Sequence, residues 1–166
     1  LPSNLNSLII ISDKFNHQLN NLPETLETLQ ITTNRFDKLL DSLPKNLNSL
    51  TIMCNNFHRP LNNFPTYLQK LNIKRYVFEK PLDNLPINLE VLGLYLCKLN
   101  YTLNNLPQKL KSLTMNDCNF EYKLNYLPET LESLTLRGKY KNDIISIQNI
   151  SKLHRLTING MVFMKN

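Results

Sequence analysis

The sequence is poor in several residue types, and each shortage excludes a class of protein. Alanine and tryptophan are absent, and only 3 of the 166 residues are Gly, which leaves no glycine-rich loop for binding phosphate. The odd number of cysteines, 3, argues against a disulfide framework and favours a reducing compartment. No apolar run approaches the roughly 18 residues that a membrane-spanning helix requires, and no basic-then-apolar signal peptide opens the sequence.

Leucine, by contrast, is abundant and recurs at a fixed interval. A Leu-Pro pair opens each unit of 21 residues, with Phe-Pro standing in once. The units start at Leu1, Leu22, Leu43, Phe64, Leu85, Leu106 and Leu127. Apolar residues follow each start by 4, 7, 9 and 18 places, and every start but the last by 14 places, as Leu26, Leu29, Ile31, Leu40 and Phe36 do in the second unit. Repetition with a period of about 20 to 50 residues is the sequence signature of a solenoid.

The spacing within a unit predicts its path; below, position n is the residue n places after the start. Positions 7 and 9 put two side chains on one face of a short strand. Each strand pairs in parallel with that of the next unit, and the residues at positions 14 and 18 fill the interior behind it. Pro cannot donate in a ladder and belongs on a turn. We therefore predict a single-domain solenoid over residues 1–166, with about eight coils, a parallel sheet on the concave face and a mostly irregular convex side.

The eighth coil, about residues 148–166, departs from this pattern. The spacing of three between Ile147, Ile150 and Leu153 predicts a helical turn on the convex side. Phe163 falls in the Phe position, and the apolar tail around it is expected to cap the stack.

The first coil has no polar cap. Exposed sheet edges invite pairing with another chain, which predicts self-association through this edge. Because the sequence begins with Leu1-Pro2 rather than Met, we expect it to be a fragment of a longer chain.

Position 12 carries a second signal. Asn34 and Asn55, each followed two residues later by Phe, complete the pattern L-x-x-L-x-L-x-x-N-x-F, which resembles the leucine-rich repeat family. In that family the Asn side chain hydrogen-bonds backbone groups of adjacent coils, so the resemblance implies the same role here. Cys97 and Cys118 hold this position in neighbouring coils, where paired strands lie about 4.8 Å apart. We interpret them as buried thiols that replace Asn, with a disulfide or a metal pair as the alternatives.

The resemblance narrows further over residues 1 to about 140. The segments around Phe36-Asp37, Phe57-His58-Arg59-Pro60-Leu61 and Phe78-Glu79-Lys80-Pro81-Leu82 lead into Asn-Leu-Pro or a close variant, and are similar to the FNIP repeat family. That family is a subclass of leucine-rich repeats found mainly in social amoebae and in giant viruses of amoebae, and it often follows an F-box. The resemblance implies the substrate-recognition part of an F-box ubiquitin-ligase adaptor, assembled with Skp1 and cullin through an F-box that this sequence does not contain.

The strand face that points away from the core is where a solenoid binds partners. Positions 6, 8 and 10 form it, three residues from each of eight coils, and none of these 24 is acidic. Binding energy concentrates in a few aromatic and Arg residues. The candidate binding residues are therefore Lys70, Lys74, Arg75 and Tyr95 on coils four and five, and Arg137 and Arg155 on coils seven and eight. The alternative is that these residues form an ordinary solvated strand face with no binding role, because Thr is favoured in strands whether or not it contacts a partner.

Catalysis finds no support in the sequence. His17, His58 and His154 fall at three different phases of the repeat, and no nucleophile elbow or zinc-protease motif occurs. We expect no enzyme activity, no cofactor and no metal.

The preferred hypothesis is a cytoplasmic protein-interaction module, in the host cytoplasm if viral, that binds a protein with acidic features and no membrane. The alternative is nucleic-acid or other polyanion binding, which the net charge of +6 permits. Against it, coil six separates the two basic clusters and no aromatic platform for stacking bases is visible.

Overall fold

A computed structural model describes residues 1–138, 140, 147 and 150–164. Eight parallel strands, one from each coil, form the main sheet: β1 (Ser7–Ile11), β2 (Thr28–Thr33), β3 (Ser49–Cys54), β4 (Lys70–Lys74), β6 (Val91–Tyr95), β8 (Ser112–Asn116), β10 (Ser133–Arg137) and β11 (Arg155–Ile158). They lie in chain order, and β12 (Met161–Met164) adds an antiparallel strand at the far edge. The register sets each repeat position beside its equivalent, as with Leu29 and Leu50. The predicted leucine-rich-repeat-like solenoid is confirmed.

The core follows the predicted positions. Positions 4, 7 and 9 are buried from the second coil to the seventh. At position 14, Phe15, Phe36 and Phe57 stack with ring centroids 5.9 and 5.8 Å apart, and Phe57 is 3% exposed, as predicted. Each ring is therefore covered by a ring of a neighbouring coil, so the core is continuous along the stack.

The Leu-Pro pairs form the turns that lead into the strands. In coil two, the Leu26 N–H donates to the Pro23 carbonyl over 3.0 Å, and this turn recurs in the other Pro-initiated coils. In four coils the side chain at position 3 then ties the turn to the coil before it: Thr25 Oγ1 donates to the Ser3 carbonyl and Asn46 Nδ2 to the Glu24 carbonyl, each over 2.9 Å. Asn88 and Thr130 repeat this contact, which the sequence analysis did not anticipate.

After the strand, coils two and three bend in one way. Their strands continue through position 11, where Thr33 and Cys54 are buried. Thr33 Oγ1 donates to the Phe15 carbonyl and Cys54 Sγ to the Phe36 carbonyl, each over 3.2 Å. A buried side chain at position 11 thus satisfies a backbone group of the preceding coil.

Coils four to seven bend in another way. Their strands end at position 10, and position 11 adopts a left-handed backbone, at Arg75, Leu96, Asp117 and Gly138 with φ of 59°, 54°, 52° and 98°. In coils five and six this turn directs position 12 inward, where Cys97 and Cys118 are buried. Their interpretation as buried thiols is confirmed.

A second, three-stranded parallel sheet follows this bend. It consists of β5 (Val77–Phe78), β7 (Lys98–Leu99) and β9 (Asn119–Phe120). The side of the solenoid that was expected to be mostly irregular is therefore paired through its backbone in coils four to six.

The role expected of Asn34 and Asn55 was wrong. Both side chains are exposed and bond to other side chains: Asn55 Nδ2 donates to Asn34 Oδ1, and Asn34 Nδ2 donates to Asp13 Oδ1 over 2.8 Å. The physical reason is the bend of these coils, in which position 11 turns inward and position 12 faces solvent.

The eighth coil closes differently from the prediction. Ile150 N–H donates to the Ile147 carbonyl and Leu153 N–H to the Ile150 carbonyl, while residues 148–149 of this expected helical turn lie outside the described residues. Phe163 does not enter the coil interior; it is 50% exposed on β12. Asn159 and Gly160, with φ of 48° and 90°, reverse the chain, and an Asn-Gly pair with two positive φ angles is the favoured two-residue hairpin turn.

Among the residues that the structure describes, no strand pairs with the outer edge of the first strand. Ile9 and Ile11 are 58% and 74% exposed, while Leu8 and Ile10 are half-buried against the core. Self-association through this edge stays a prediction.

Candidate concave binding face

The face that points away from the core has the predicted composition. From β2 to β10, residues at positions 6 and 10 are half-buried or exposed, and they alternate with buried Leu, Ile and Met. Because the strands are in register, side chains of one position form a row across the sheet with a step of about 4.8 Å. We call this surface the concave face.

At the centre of the concave face, β4 and β6 carry three of the predicted residues and bring two of them, Lys74 and Tyr95, together. Lys74 pairs with Tyr95, and Lys70, at the other end of β4, pairs with Val91. Lys70 is exposed and Lys74 is half-buried. The two Lys residues lie four residues apart along one strand, which separates their Cα atoms by about 13 Å.

Tyr95 leans back over its own strand onto Gly93. A Cβ atom at Gly93 would lie 2.9 Å from Cε2 and 3.1 Å from the hydroxyl of Tyr95, and 2.2 Å from Oδ1 of Asn72. Asn72 Nδ2 in turn donates to Thr51 Oγ1 over 3.3 Å. Gly93 is therefore required for the Tyr95 ring to lie close to the sheet. The sequence analysis missed this residue, although a lone Gly within a strand signals a close approach.

Arg75 lies at the bend after β4 rather than in the rows of the face. Its N–H donates to the Tyr95 carbonyl over 2.8 Å. Its Nη1 donates to Asn55 Oδ1 over 2.7 Å and so extends the side-chain ladder of Asn34 and Asn55. This contact directs the guanidinium toward coil three.

Arg137 and Arg155 are exposed on neighbouring strands but at opposite ends of them. Arg155 pairs with Ser133 at the start of β10, whereas Arg137 is its last residue and pairs with Asn116. Their backbones are therefore offset by about 13 Å along the strand direction. The structure brings Lys74 and Tyr95 together, and it leaves these two Arg residues apart.

Acidic side chains lie just outside the face, at position 5. Glu90 Oε2 and Lys111 Nζ form an exposed ion pair at 2.8 Å. The hydrogen bond that Lys111 Nζ donates to Glu90 raises the pKa of Lys111 above its ordinary value, with smaller charge effects from Glu90 and Glu132. Lys111 is thus already paired, whereas Lys70 and Lys74 face the open surface.

A small cavity of about 200 Å³ lies on the opposite side of the solenoid, between coils three and four. Its lining includes His58, Leu61, Tyr76, Phe78 and Lys80. The Tyr76 hydroxyl donates to the Arg59 carbonyl over 3.0 Å, and burial, with a smaller effect of Glu79, raises the pKa of Tyr76. The cavity forms where the two kinds of bend meet.

Within the described residues, no group of three or more His, Cys, Asp or Glu side chains could hold a metal ion. No helix among these residues is long and apolar enough to cross a bilayer. The described residues of the concave face offer hydrogen bonds, positive charge and one aromatic ring.

Comparison with solved structures identifies the class of protein. The crystal structure of CroV588, a novel circular LRR protein from a giant virus, matches this chain with a TM-score of 0.69 and 26% sequence identity. The match covers 95% of this chain and 24% of that chain, so this chain spans about a quarter of the length of its structural neighbour. No family model matches the sequence, and no curated protein matches it. The chain is a leucine-rich-repeat-like solenoid, a fold that commonly serves as a scaffold for protein interaction.

Proposed function

We propose that this chain is a protein-interaction module that binds a partner with acidic features on its concave face. The observation that supports it is the centre of that face, where Lys70, Lys74 and Tyr95 lie on adjacent strands and no described residue at positions 6, 8 and 10 is acidic. Carboxylates of the partner would meet positive charge at either end of β4, at Lys70 and at Lys74. The Tyr95 ring supplies the apolar contact area on which binding energy concentrates.

Charge complementarity of this kind acts mainly on specificity and on the association rate. The exposed Lys70 would steer the partner, and its contribution would fall as salt rises. The half-buried Tyr95 would act on dissociation, because its contact area is lost only when the complex opens. Arg137 and Arg155 would extend the site along the face to coils seven and eight.

A pair of charge-reversal variants tests the proposal. One carries Lys70→Glu, Lys74→Glu and Arg137→Glu on the concave face. The matched control carries the same change of charge at three exposed Lys residues outside the strands: Lys45→Glu, Lys80→Glu and Lys123→Glu.

Each protein is used as bait in amoebal lysate, and the captured proteins are quantified by mass spectrometry. Proteins captured by the wild type and by the control should be lost from the concave variant. Equal capture by both variants would contradict the assignment of the face.

We further propose that the repeats are of the FNIP kind and that the chain recognises substrates for a cytoplasmic F-box ubiquitin-ligase adaptor. The repeated Leu-Pro turns support this, as does the identical spacing between Phe and Pro-Leu in coils three and four. A gene product that carries an F-box before these repeats should capture Skp1 and cullin, and the present chain alone should capture only the substrates. Absence of Skp1 from the capture by the product with the F-box would contradict the adaptor role and leave the interaction role standing.

Polyanion binding is the second candidate, favoured by the net charge of +6. Electrostatic binding to nucleic acid weakens steeply with salt. A titration with random oligonucleotides at about 50 mM salt, where phosphate contacts are strong, separates the two functions. No binding is expected there, and tight binding that the concave variant abolishes would favour the second candidate.

A further inference from the structure

Cys97 and Cys118 stand out among the buried polar groups, because they are the two thiols that the stack sets side by side. They occupy position 12 of coils five and six, and both are buried. The following residues, Lys98 and Asn119, pair across β7 and β9, and the Asn119 N–H donates to the Cys97 carbonyl over 2.8 Å. Backbone pairing therefore holds the two Cys residues at adjacent levels of the stack.

We propose that Cys97 and Cys118 form a redox-sensitive site, at which hydrogen peroxide converts the two thiols to a disulfide that joins coil five to coil six. Adjacent parallel strands hold equivalent Cα atoms about 4.8 Å apart, within the roughly 4.4 to 6.8 Å that disulfides span. The two Sγ atoms also make equivalent contacts with the coil before each of them: Cys97 Sγ lies 3.6 Å from the Ile73 carbonyl oxygen, and Cys118 Sγ lies 3.3 Å from that of Leu94. The two side chains therefore point the same way at adjacent levels of the stack.

The surroundings of the pair keep both thiols in place. Cys97 Sγ lies 3.4 Å from the Tyr95 carbonyl oxygen, and Cys118 Sγ lies 3.3 Å from that of Leu94. The contact with Cys118 lowers the pKa of Cys97, and the same contact together with burial raises the pKa of Cys118. The thiolate is the nucleophile, so one thiol of the pair reacts with the peroxide and the other resolves the product.

The two steps balance. The first thiolate attacks one oxygen of hydrogen peroxide, an S–O bond forms as the O–O bond breaks, and the released hydroxide takes up the proton of that thiol as water. The second thiolate then attacks the sulfenic acid, so that an S–S bond forms and the S–O bond breaks. The hydroxyl group leaves as a second water with the proton from the second thiol. The two sulfurs are oxidised together by two electrons, and the peroxide is reduced to two waters.

A metal site explains the pair less well. Structural zinc sites take four ligands, and the described residues contain no group of three or more candidate ligands. A disulfide, in contrast, requires only the two thiols that are present.

Cys54 provides a matched control within the same chain. It is as buried as the pair, and its Sγ also donates to a carbonyl, that of Phe36, over 3.2 Å. Its partner in the register of the neighbouring strand is Thr33 rather than a Cys. A difference in reactivity between Cys54 and the pair therefore reports the second thiol and not burial.

The test is oxidation of the folded chain with hydrogen peroxide, followed by non-reducing tryptic mapping. We expect the loss of two hydrogens per chain and a crosslink between peptides 76–98 and 112–123, both reversed by dithiothreitol. Cys54→Ser should behave as the wild type, and either Cys97→Ser or Cys118→Ser should abolish the crosslink.

Unfolding provides a second readout that needs no substitution. The oxidised wild type should unfold at a higher urea concentration than the reduced protein, because the crosslink restricts the unfolded chain. Oxidation of all three cysteines to higher acids at similar rates, or a crosslink that involves Cys54, would overturn the proposal.

Discussion

Coils one to three and coils four to seven share one period and one set of core positions, yet they are joined differently. In the first group, side chains link the coils: Asn16 Oδ1 accepts from the Asp37 N–H and Asp37 Oδ1 from the His58 N–H, each over 3.0 Å. In the second group the backbone does so, through the small sheet of β5, β7 and β9.

The difference teaches that the strand and the Leu-Pro turn determine the 21-residue period, while the bend between them is free to vary. A left-handed residue at position 11 shifts the inward side chain from position 11 to position 12. In coils two, three, five and six, each solution buries one side chain against the backbone of the coil before it. The ring of Tyr76, 5.8 Å from that of Phe57, packs across the boundary between the groups.

The largest effect is expected at this boundary. Phe57→Ala should reduce the free energy of unfolding by roughly 3 to 5 kcal/mol, because it removes a buried ring from between two others. Thr51→Ala, on the concave face of the same coil, should cost less than about 1 kcal/mol, the value of one weak hydrogen bond. Urea unfolding of both variants measures the difference, and equal losses would mean that the inside and outside of the coil are wrongly assigned.

The two bends predict opposite responses to one substitution at position 11. Thr33→Gly should cost about 1 to 3 kcal/mol, since a buried hydrogen-bonded side chain is lost from a strand. Leu96→Gly should leave the stability unchanged or raise it by up to about 1 kcal/mol, because Gly adopts a positive φ without strain. Thermal unfolding of the two variants measures the two changes in stability. If Leu96→Gly is as destabilising as Thr33→Gly, the distinction between the two bends is contradicted.

Gly93 extends the comparison to the concave face of the second group. Gly93→Ala should cost about 1 to 2 kcal/mol, since the added methyl would overlap Asn72 and displace the Tyr95 ring. It should also weaken partner binding, which a titration with a captured partner measures. Thr114→Ala, in the same row one strand further, is the control and should change neither property appreciably.

The smallest effect concerns the exposed side-chain links. Asp37→Ala removes an acceptor and a 3.0 Å ion pair with Arg59, and it should cost at most about 1 kcal/mol, because both side chains are partly exposed to solvent. Glu79→Ala, at the same position in coil four, should cost less, since backbone pairing joins the coils there. A larger loss at Glu79, measured by urea unfolding, would contradict the distinction between the two groups.

Much of this architecture was predictable because it depends on spacing. The strands at positions 6 to 10, the buried Leu positions, the Phe stack and the placement of Pro on turns all follow from a period that apolar residues mark clearly. The candidate face followed as well, since strand alternation determines which residues point outward.

The bend was not predictable, because the left-handed position carries Arg75, Leu96 and Asp117 rather than a Gly that would mark it. Without a Gly at position 11, the sequence does not show that the side chain at position 12 is exposed at Asn55 and buried at Cys97. Two other features did leave signals: Asn and Thr recur at position 3, and Asn159-Gly160 is a hairpin turn sequence. The separation of Arg137 from Arg155 required the strand register.

Lysine footprinting of a captured complex tests the central claim most directly. Free and partner-bound protein are acylated briefly, and the modification of each Lys is quantified by mass spectrometry. If the partner lies on the concave face, Lys70 and Lys74 should lose reactivity on binding, while Lys80 and Lys98, exposed outside that face, keep theirs. Protection of Lys80 and Lys98 with Lys70 and Lys74 unchanged would place the partner on the other side of the solenoid and contradict the account.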